Sequence, residues 1–481
     1  MESAEHLKPG AEIAGYRVQE KLHEGGMAAL YRVTPLAGGE AGVLKVPKLE
    51  FGSHPVCYAG FDVEQMILER IAGPGVPRLF ARGEGDFGPY LVIEHIVGTS
   101  LVEYARHAPL PVEEVARIGA ALASALHDLH RQEVVHHDLK PAHVILLEDG
   151  QAVLIDFGLA FHGHLPDLVK AEAESNCNSS DSLLGTPAYI SPEQIAGMRG
   201  DPRSDVFSLG VMLYLLATGR LPFGEPTSMA GLRRRLYFDP LPPRHILPDL
   251  PQWLQEIILH CLEVRAEDRY ASAAKVANDL LHPDQVALTD RARRLRRTGP
   301  VTAAKRWLAA LTAPPPAPKS PAAQLALAPH VLVAVDAGGS SEALLQALRD
   351  AVRRIIAGEP HWRLSCISVL EPSALTEQED GAEIMRSQHT QRLVELHHWV
   401  QPLGLARERL RFHVLEGSDA ASRLVEYARA SHADHLVLGA RGSSGLRRIL
   451  GSVSSRVAAE APCSVTVVRA LVATNADAAN C

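Results

Sequence analysis

In the stretch His136-His137-Asp138-Leu139-Lys140-Pro141-Ala142-His143, a carboxylate and an ammonium stand two residues apart. A second carboxylate follows in Val153-Leu154-Ile155-Asp156-Phe157-Gly158. Asp138 and Asp156 are 18 residues apart, each beside an apolar, strand-like run. Two carboxylates and a lysine at loop positions suit a site that holds a metal ion against phosphate oxygens. Lys45 adds another cation, inside the strand pattern Gly42-Val43-Leu44-Lys45-Val46. A lysine turned inward from a strand is excluded unless it is paired. Glu64, in the next helical segment, is its natural partner.

These groups need two kinds of scaffold to bring them together. From Tyr16 to about Leu101, aliphatic and β-branched runs such as Ala41–Val46 and Tyr90–Ile96 alternate with glycines and read as strands. The apolar spacing of Phe61, Met66, Leu68 and Ile71 predicts one helix over Phe61–Ile71. From Val112 onward helical periodicity dominates, as in Val112–His130 and Val206–Leu216. After residue 282 come a basic run (Arg291, Arg293, Arg294, Arg296, Arg297) and a proline-rich spacer, Pro314 to Pro321. The basic run reads as a solvated helix end in preference to a membrane or acidic-partner contact. Beyond it, the strand patterns His330–Val335, Arg363–Leu370, His435–Leu438 and Val465–Val468 alternate with the helical patterns Ser341–Ala357 and Ser422–Ser431. That alternation predicts a parallel sheet with crossover helices.

Composition narrows the function classes. The 481 residues are 46% hydrophobic and 22% charged, with net charge −8, so a general nucleic-acid-binding face is not expected. Six scattered cysteines form no C-x-x-C pair and favour a reducing compartment. No apolar run reaches 18 residues and the start is polar, so the expectation is a soluble, cytoplasmic protein without membrane contact.

Residues 16–282 resemble the protein kinase family, bacterial serine/threonine kinases in particular, on the motifs quoted above together with Gly185-Thr186-Pro187-Ala188-Tyr189-Ile190-Ser191-Pro192-Glu193. The resemblance implies a bilobal α+β kinase fold that uses ATP and Mg2+ or Mn2+ to phosphorylate protein substrates. It makes Asp138 the residue that accepts the acceptor hydroxyl's proton, Lys140 a γ-phosphate contact and Asp156 a metal ligand. Lys45 and Glu64 become the strand-lysine and helix-glutamate pair, and Thr186 a hydrogen-bonding neighbour of Asp138 and Lys140. Leu22, Gly25, Gly26 and Leu30 would cover the nucleotide. Ile93 would gate the adenine pocket, with Glu94, His95 and Ile96 as the hinge. Glu193, Arg269 and Asp205 match bracing positions of the large lobe.

Four positions depart from that pattern. His23 and Ala28 replace the first and third glycines of the phosphate loop, which stiffens it. His137 replaces the arginine that pairs with an activation-segment phosphate, so phosphorylation of the Ser175–Ser182 cluster is not the expected switch. His143 replaces the asparagine that ligates a second metal ion. Imidazole favours manganese over magnesium, and altered metal use stands beside simple loss of that ligand.

Residues 330–470 resemble the universal stress protein family, an α/β fold with a five-stranded parallel sheet, on His330–Asp336, Leu438–Gly445, Gly451–Ser454 and Ala461–Val468. The resemblance implies a nucleotide site lined by Asp336, Gly439, Gly442, Gly451 and Ser452, and pairing into a homodimer through the last strand. Eight residues separate Gly442 from Gly451, one fewer than in ATP-binding members. The expected function is serine/threonine phosphorylation linked to intracellular stress signalling. A pseudokinase scaffold and an ATP-sensing regulatory protein are the alternatives.

Overall fold

The computed structural model describes residues 7–24, 28–47, 55–85, 88–165, 167, 185–297, 299, 301–302, 304–306, 308, 329–336, 338–357, 362–370, 381–406, 409–431, 433–440 and 451–470. The chain separates into two compact units, Met1–Leu325 and Ala326–Cys481.

The first unit opens with an antiparallel sheet of β1 (Glu12–Ile13), β2 (Tyr16–Glu24), β3 (Ala28–Pro35), β4 (Gly42–Pro47), β5 (Leu79–Gly85) and β6 (Gly88–Glu94), in the order β1-β2-β3-β4-β6-β5. Strand periodicity divides its faces. Tyr31, Val33, Leu44, Val46 and Val92 fill a small core on one side, so Lys45, between Leu44 and Val46, faces the other. That other side meets a helix, Pro55–Leu68. It begins six residues before the expected start, and Ile71 lies beyond its end.

Short strands follow: β7 (Thr99–Ser100), β8 (Val134–Val135), β9 (Val144–Leu146), β10 (Ala152–Leu154) and β11 (Phe161–His162). β10, β9 and β7 form one small sheet, and β11 pairs with β8. They lie against a helical body built on Val112–Arg131, Arg203–Thr218, Gln252–Cys261 and Ala273–Leu281. Helix Arg203–Thr218 is apolar on nearly every side and almost wholly buried, as a central helix must be. It crosses Val112–Arg131 so closely that a Cβ on Gly119 would stand 2.5 Å from the Leu213 side chain.

The basic run is solvated in part: Arg293, Arg296 and Arg297 are exposed, while Arg291 and Arg294 are half-buried and paired. A short helix, Asp290–Arg293, packs on Gln252–Cys261. The buried Glu256 carboxylate accepts hydrogen bonds from the Thr289 and Ala292 amides and from Arg291. Gln255 donates to the Arg291, Ala292 and Arg294 carbonyls. Arg294 and Arg306 both reach Asp239. Burial of these carboxylates calls for cations, and the basic run supplies them.

The second unit is a five-stranded, all-parallel sheet of β12 (His330–Ala334), β13 (Arg363–Leu370), β14 (Leu410–Glu416), β15 (His435–Gly439) and β16 (Ser464–Val468), in the order β14-β13-β12-β15-β16. Both faces are covered, as parallel sheets require. Val331 and Val333 join Leu348, Val352, Leu396 and Trp399 from helices Glu342–Ile356 and Gly381–Val400. Leu332 joins Leu424, Val425 and Val457 from helices Ala420–Ala430 and Ser452–Glu460. Among the described residues no helix is long and apolar enough to cross a membrane.

Candidate active site

The small sheet delivers Lys45, and helix Pro55–Leu68 delivers Glu64, with Lys45 Nζ 2.6 Å from Glu64 Oε2. Lys45 also donates to Asp156 Oδ1 at 3.3 Å. Burial opposes its charge, but Glu64 and Asp156 outweigh burial and hold the ammonium above its ordinary pKa. Burial alone would push the Asp156 carboxyl up, but Lys45 and then His143 pull it below the usual carboxylate range. A Cβ on Gly60 would stand 3.0 Å from the Gly158 carbonyl, so this glycine lets the helix approach the turn after Asp156. Phe157 is fully buried behind it.

The turn between β8 and β9 supplies the second carboxylate. Asp138 Oδ1 accepts from the Thr186 amide at 2.9 Å and from its hydroxyl at 2.8 Å. Lys140 Nζ donates to Asp138 Oδ2 and to Thr186 Oγ1, both at 2.9 Å. A carboxylate has about four lone-pair sites. Among the described residues three hydrogen bonds use them, with His143 Nδ1 a further 3.5 Å from Oδ2, which leaves one site for a proton from an incoming hydroxyl.

His143 links the two carboxylates. Its Nδ1 donates to the Asp138 backbone carbonyl at 2.8 Å, which fixes the tautomer. Its Nε2 then lies 3.3 Å from Asp156 Oδ2. Burial pushes its pKa down to about 4, against the pull of Asp156 and Asp138. A neutral Nε2 lone pair opposite a carboxylate is an arrangement that a cation relieves. The Nε2–Oδ2 spacing is close to that of adjacent ligands on an ion with bonds of about 2.1 Å. This donor pair therefore fits a divalent metal ion. Among the described residues, no cluster of three or more His, Cys, Asp or Glu side chains could hold a metal by itself, so phosphate oxygens and water would have to complete its shell.

A buried carboxylate on the central helix holds the turn in place. Asp205 accepts from the His136 amide at 2.8 Å, the His137 amide at 2.9 Å and His130 Nε2 at 2.9 Å. His137 and Asp156 adopt left-handed backbone, φ +63° and +67°, a strain that clusters at functional positions. His137 is buried, and burial followed by Arg199 lowers its pKa to about 3. Its neutral Nε2 accepts from the Gly200 amide at 3.0 Å, and Gln194 donates to its carbonyl at 2.8 Å. Glu193 and Arg269 form a buried pair at 2.7 Å. The Gly200 and Gln194 contacts had no sequence signal beyond the His136-His137 doublet, because their partners lie about 60 residues away.

Leu22, Leu30, Ile93, Glu94 and Ile96 lie along β2, β3, β6 and the residues after it. The Glu94 amide donates to the Arg78 carbonyl at 2.8 Å, and the His95 amide to the Ala41 carbonyl at 3.3 Å. Gly25, Gly26 and the serine cluster lie outside the described residues, as does Gly442.

In the second unit, Asp336 follows β12, accepts from the Gly339 amide at 3.1 Å and lies 3.6 Å from Arg392. Gly439 ends β15, where a Cβ would stand 2.9 Å from a terminal methyl of Leu344, so helix Glu342–Ile356 packs closely on it. Gly451 precedes helix Ser452–Glu460 as its N-cap.

Comparison with known proteins gives two family matches: protein kinase domain over residues 16–282 and universal stress protein family over residues 328–469. Serine/threonine-protein kinase PknL of Mycobacterium tuberculosis is 30% identical over 266 residues, 55% of this chain and 64% of that protein. Serine/threonine-protein kinase Pkn1 of Myxococcus xanthus is 31% identical over 317 residues, 65% of this chain and 43% of that protein. A probable serine/threonine-protein kinase of Clostridium acetobutylicum is 27% identical over 266 residues, 55% of this chain and 39% of that protein. The chain thus spans between about two fifths and two thirds of these relatives' lengths. The crystal structure of the Mycobacterium tuberculosis PknI kinase domain aligns with 57% of this chain and 99% of its own, at 24% identity and a TM-score of 0.45.

Proposed function

Because the chain belongs to the protein kinase family and carries a universal stress protein domain, we propose that it transfers the γ-phosphoryl group of ATP to serine or threonine hydroxyls of protein substrates. The observation that carries this reading is the Glu64–Lys45–Asp156 chain of contacts, linked through His143 to an Asp138 carboxylate with one lone-pair site to spare. In this reading Asp138 orients the acceptor hydroxyl and takes its proton. Lys45, held by Glu64, and Lys140 hold phosphate oxygens, and Thr186 fixes the Asp138 rotamer. Leu22, Gly25, Gly26, Leu30, Ile93, Glu94 and Ile96 enclose the nucleotide. Asp156 and His143 hold a divalent ion, Mg2+ or Mn2+, that neutralises charge on the transferred group.

The second unit, in our reading, binds a nucleotide at Asp336, Gly439, Gly442, Gly451 and Ser452 and biases the kinase in response to an intracellular signal. β16 is an outer strand of its sheet, which supports pairing of two copies along that edge.

The deciding experiment is phosphate transfer from labelled ATP, to the protein itself and to a generic substrate, with each metal and beside Asp156→Ala. Transfer abolished in the variant is the expected result. ATP binding without transfer under either metal would leave a scaffold instead of an enzyme. Regulation by the second unit is tested by deleting residues 329–481, and unchanged activity and nucleotide affinity would remove it.

A further inference from the structure

Beside the catalytic turn lies an open cavity of about 350 Å³. Val102 and Ala105 line it from the short helix Leu101–Arg106, Pro141 and Ala142 from the turn after Lys140, Leu215 from helix Arg203–Thr218 and Tyr189 from the segment after Thr186. Lys140 also lines it, and the same ammonium bonds to Asp138. The cavity therefore reaches the ammonium that bonds to the proposed proton acceptor. Its floor is aliphatic and aromatic, its two charged lining residues are Lys140 and Arg106, and no carboxylate is among its lining residues. Arg106 is already paired with Glu103.

We propose that this cavity receives an apolar side chain of the substrate protein and excludes a basic one, and so sets which sequences around a serine or threonine are phosphorylated. The proposal rests on the kinase reading above. A leucine or phenylalanine side chain would remove apolar surface from water there, whereas a cation would meet Lys140 and Arg106, each already paired with its own carboxylate, and no carboxylate among the lining residues. An extended peptide advances about 3.3 Å per residue, so the selected side chain lies within about three residues of the acceptor.

The test uses the full chain and serine peptides in which one position at a time is fixed as leucine or arginine. Phosphate incorporation and, separately, affinity by fluorescence anisotropy are measured. Leucine is expected to be favoured over arginine by about tenfold at one position near the acceptor. Ala142→Glu, at an exposed position the fold tolerates, is expected to reverse that preference, and Val102→Asp to reverse it independently. Equal use of both peptides, or a preference that neither substitution moves, overturns the proposal. Absence of peptide binding overturns it too and leaves the cavity to another segment of this chain. Leucine-selective binding without phosphate transfer would keep the docking site and sink the kinase reading.

Discussion

An imidazole whose Nδ1–H is committed to the Asp138 carbonyl presents its other nitrogen as a lone pair, and in His143 that lone pair faces Asp156. Nitrogen ligation favours manganese over magnesium, so the rate ratio between the two ions should fall about tenfold in His143→Asn. Electron paramagnetic resonance of Mn2+ with the protein and ATP should show weaker binding in parallel. An unchanged ratio and unchanged Mn2+ affinity would remove His143 from the metal shell. Asp138→Asn removes the proton acceptor and the bond from Lys140 but can keep the two Thr186 bonds at Oδ1, and should lower kcat by about 10² to 10⁴. His137 sets a pH dependence. Its folded pKa of about 3 lies below the unfolded value of 6.5, so the unfolded chain binds more protons between those limits. Stability therefore falls as pH drops from 6.5 toward 3, by up to about 1.4 kcal/mol per unit from this group. In His137→Gln the melting temperature should depend less steeply on pH across that window. The chemistry-bearing residues were legible because Asp138, Lys140 and Asp156 lie in short contiguous motifs. The His137–Gly200 bond was not, since its donor lies 63 residues further along the chain.

At the scale of elements, the segment after residue 282 behaves as part of the large lobe. Truncation after His282 would remove donors from Glu256 and Asp239, whereas truncation after Arg306 keeps them. The shorter chain is expected to be less stable by about 2–4 kcal/mol in denaturant titration, the range for losing several buried hydrogen bonds to charged groups. Equal midpoints would show that the basic run contributes nothing to the lobe. Arg291 and Arg294 read as solvated with the rest because sequence shows the cations without the carboxylates 35 to 55 residues earlier that hold them. In the second unit, β12, β13 and β15 were legible as apolar runs. β14 was not singled out, because Arg411 and His413 interrupt its apolar pattern while being buried. Helix Gly381–Val400 carries little periodic contrast along its length, so it escaped the same reading. The early start of helix Pro55–Leu68 was missed for a different reason: its first turn offers no acidic residue to mark it.

At the scale of the molecule, two units with separate cores should melt as two transitions in calorimetry. ATP with metal should raise the transition of the first unit, by about 2.7 kcal/mol of added stability at a hundred times the dissociation constant. A rise in the second transition under ATP alone, lost in Gly451→Trp, would assign a nucleotide to the stress protein domain. No rise would leave that domain to another ligand. The catalytic turn has a further property that follows from Asp205, whose two oxygens hold the amides of His136 and His137 from within the buried central helix. Those two amides are expected to trade hydrogen for deuterium slowly, at the pace of the buried helix that holds their acceptor. Their exchange rate is a clock for the whole lobe. It should keep the same time as the slowest core amides, and heat should extinguish catalysis and the fold together.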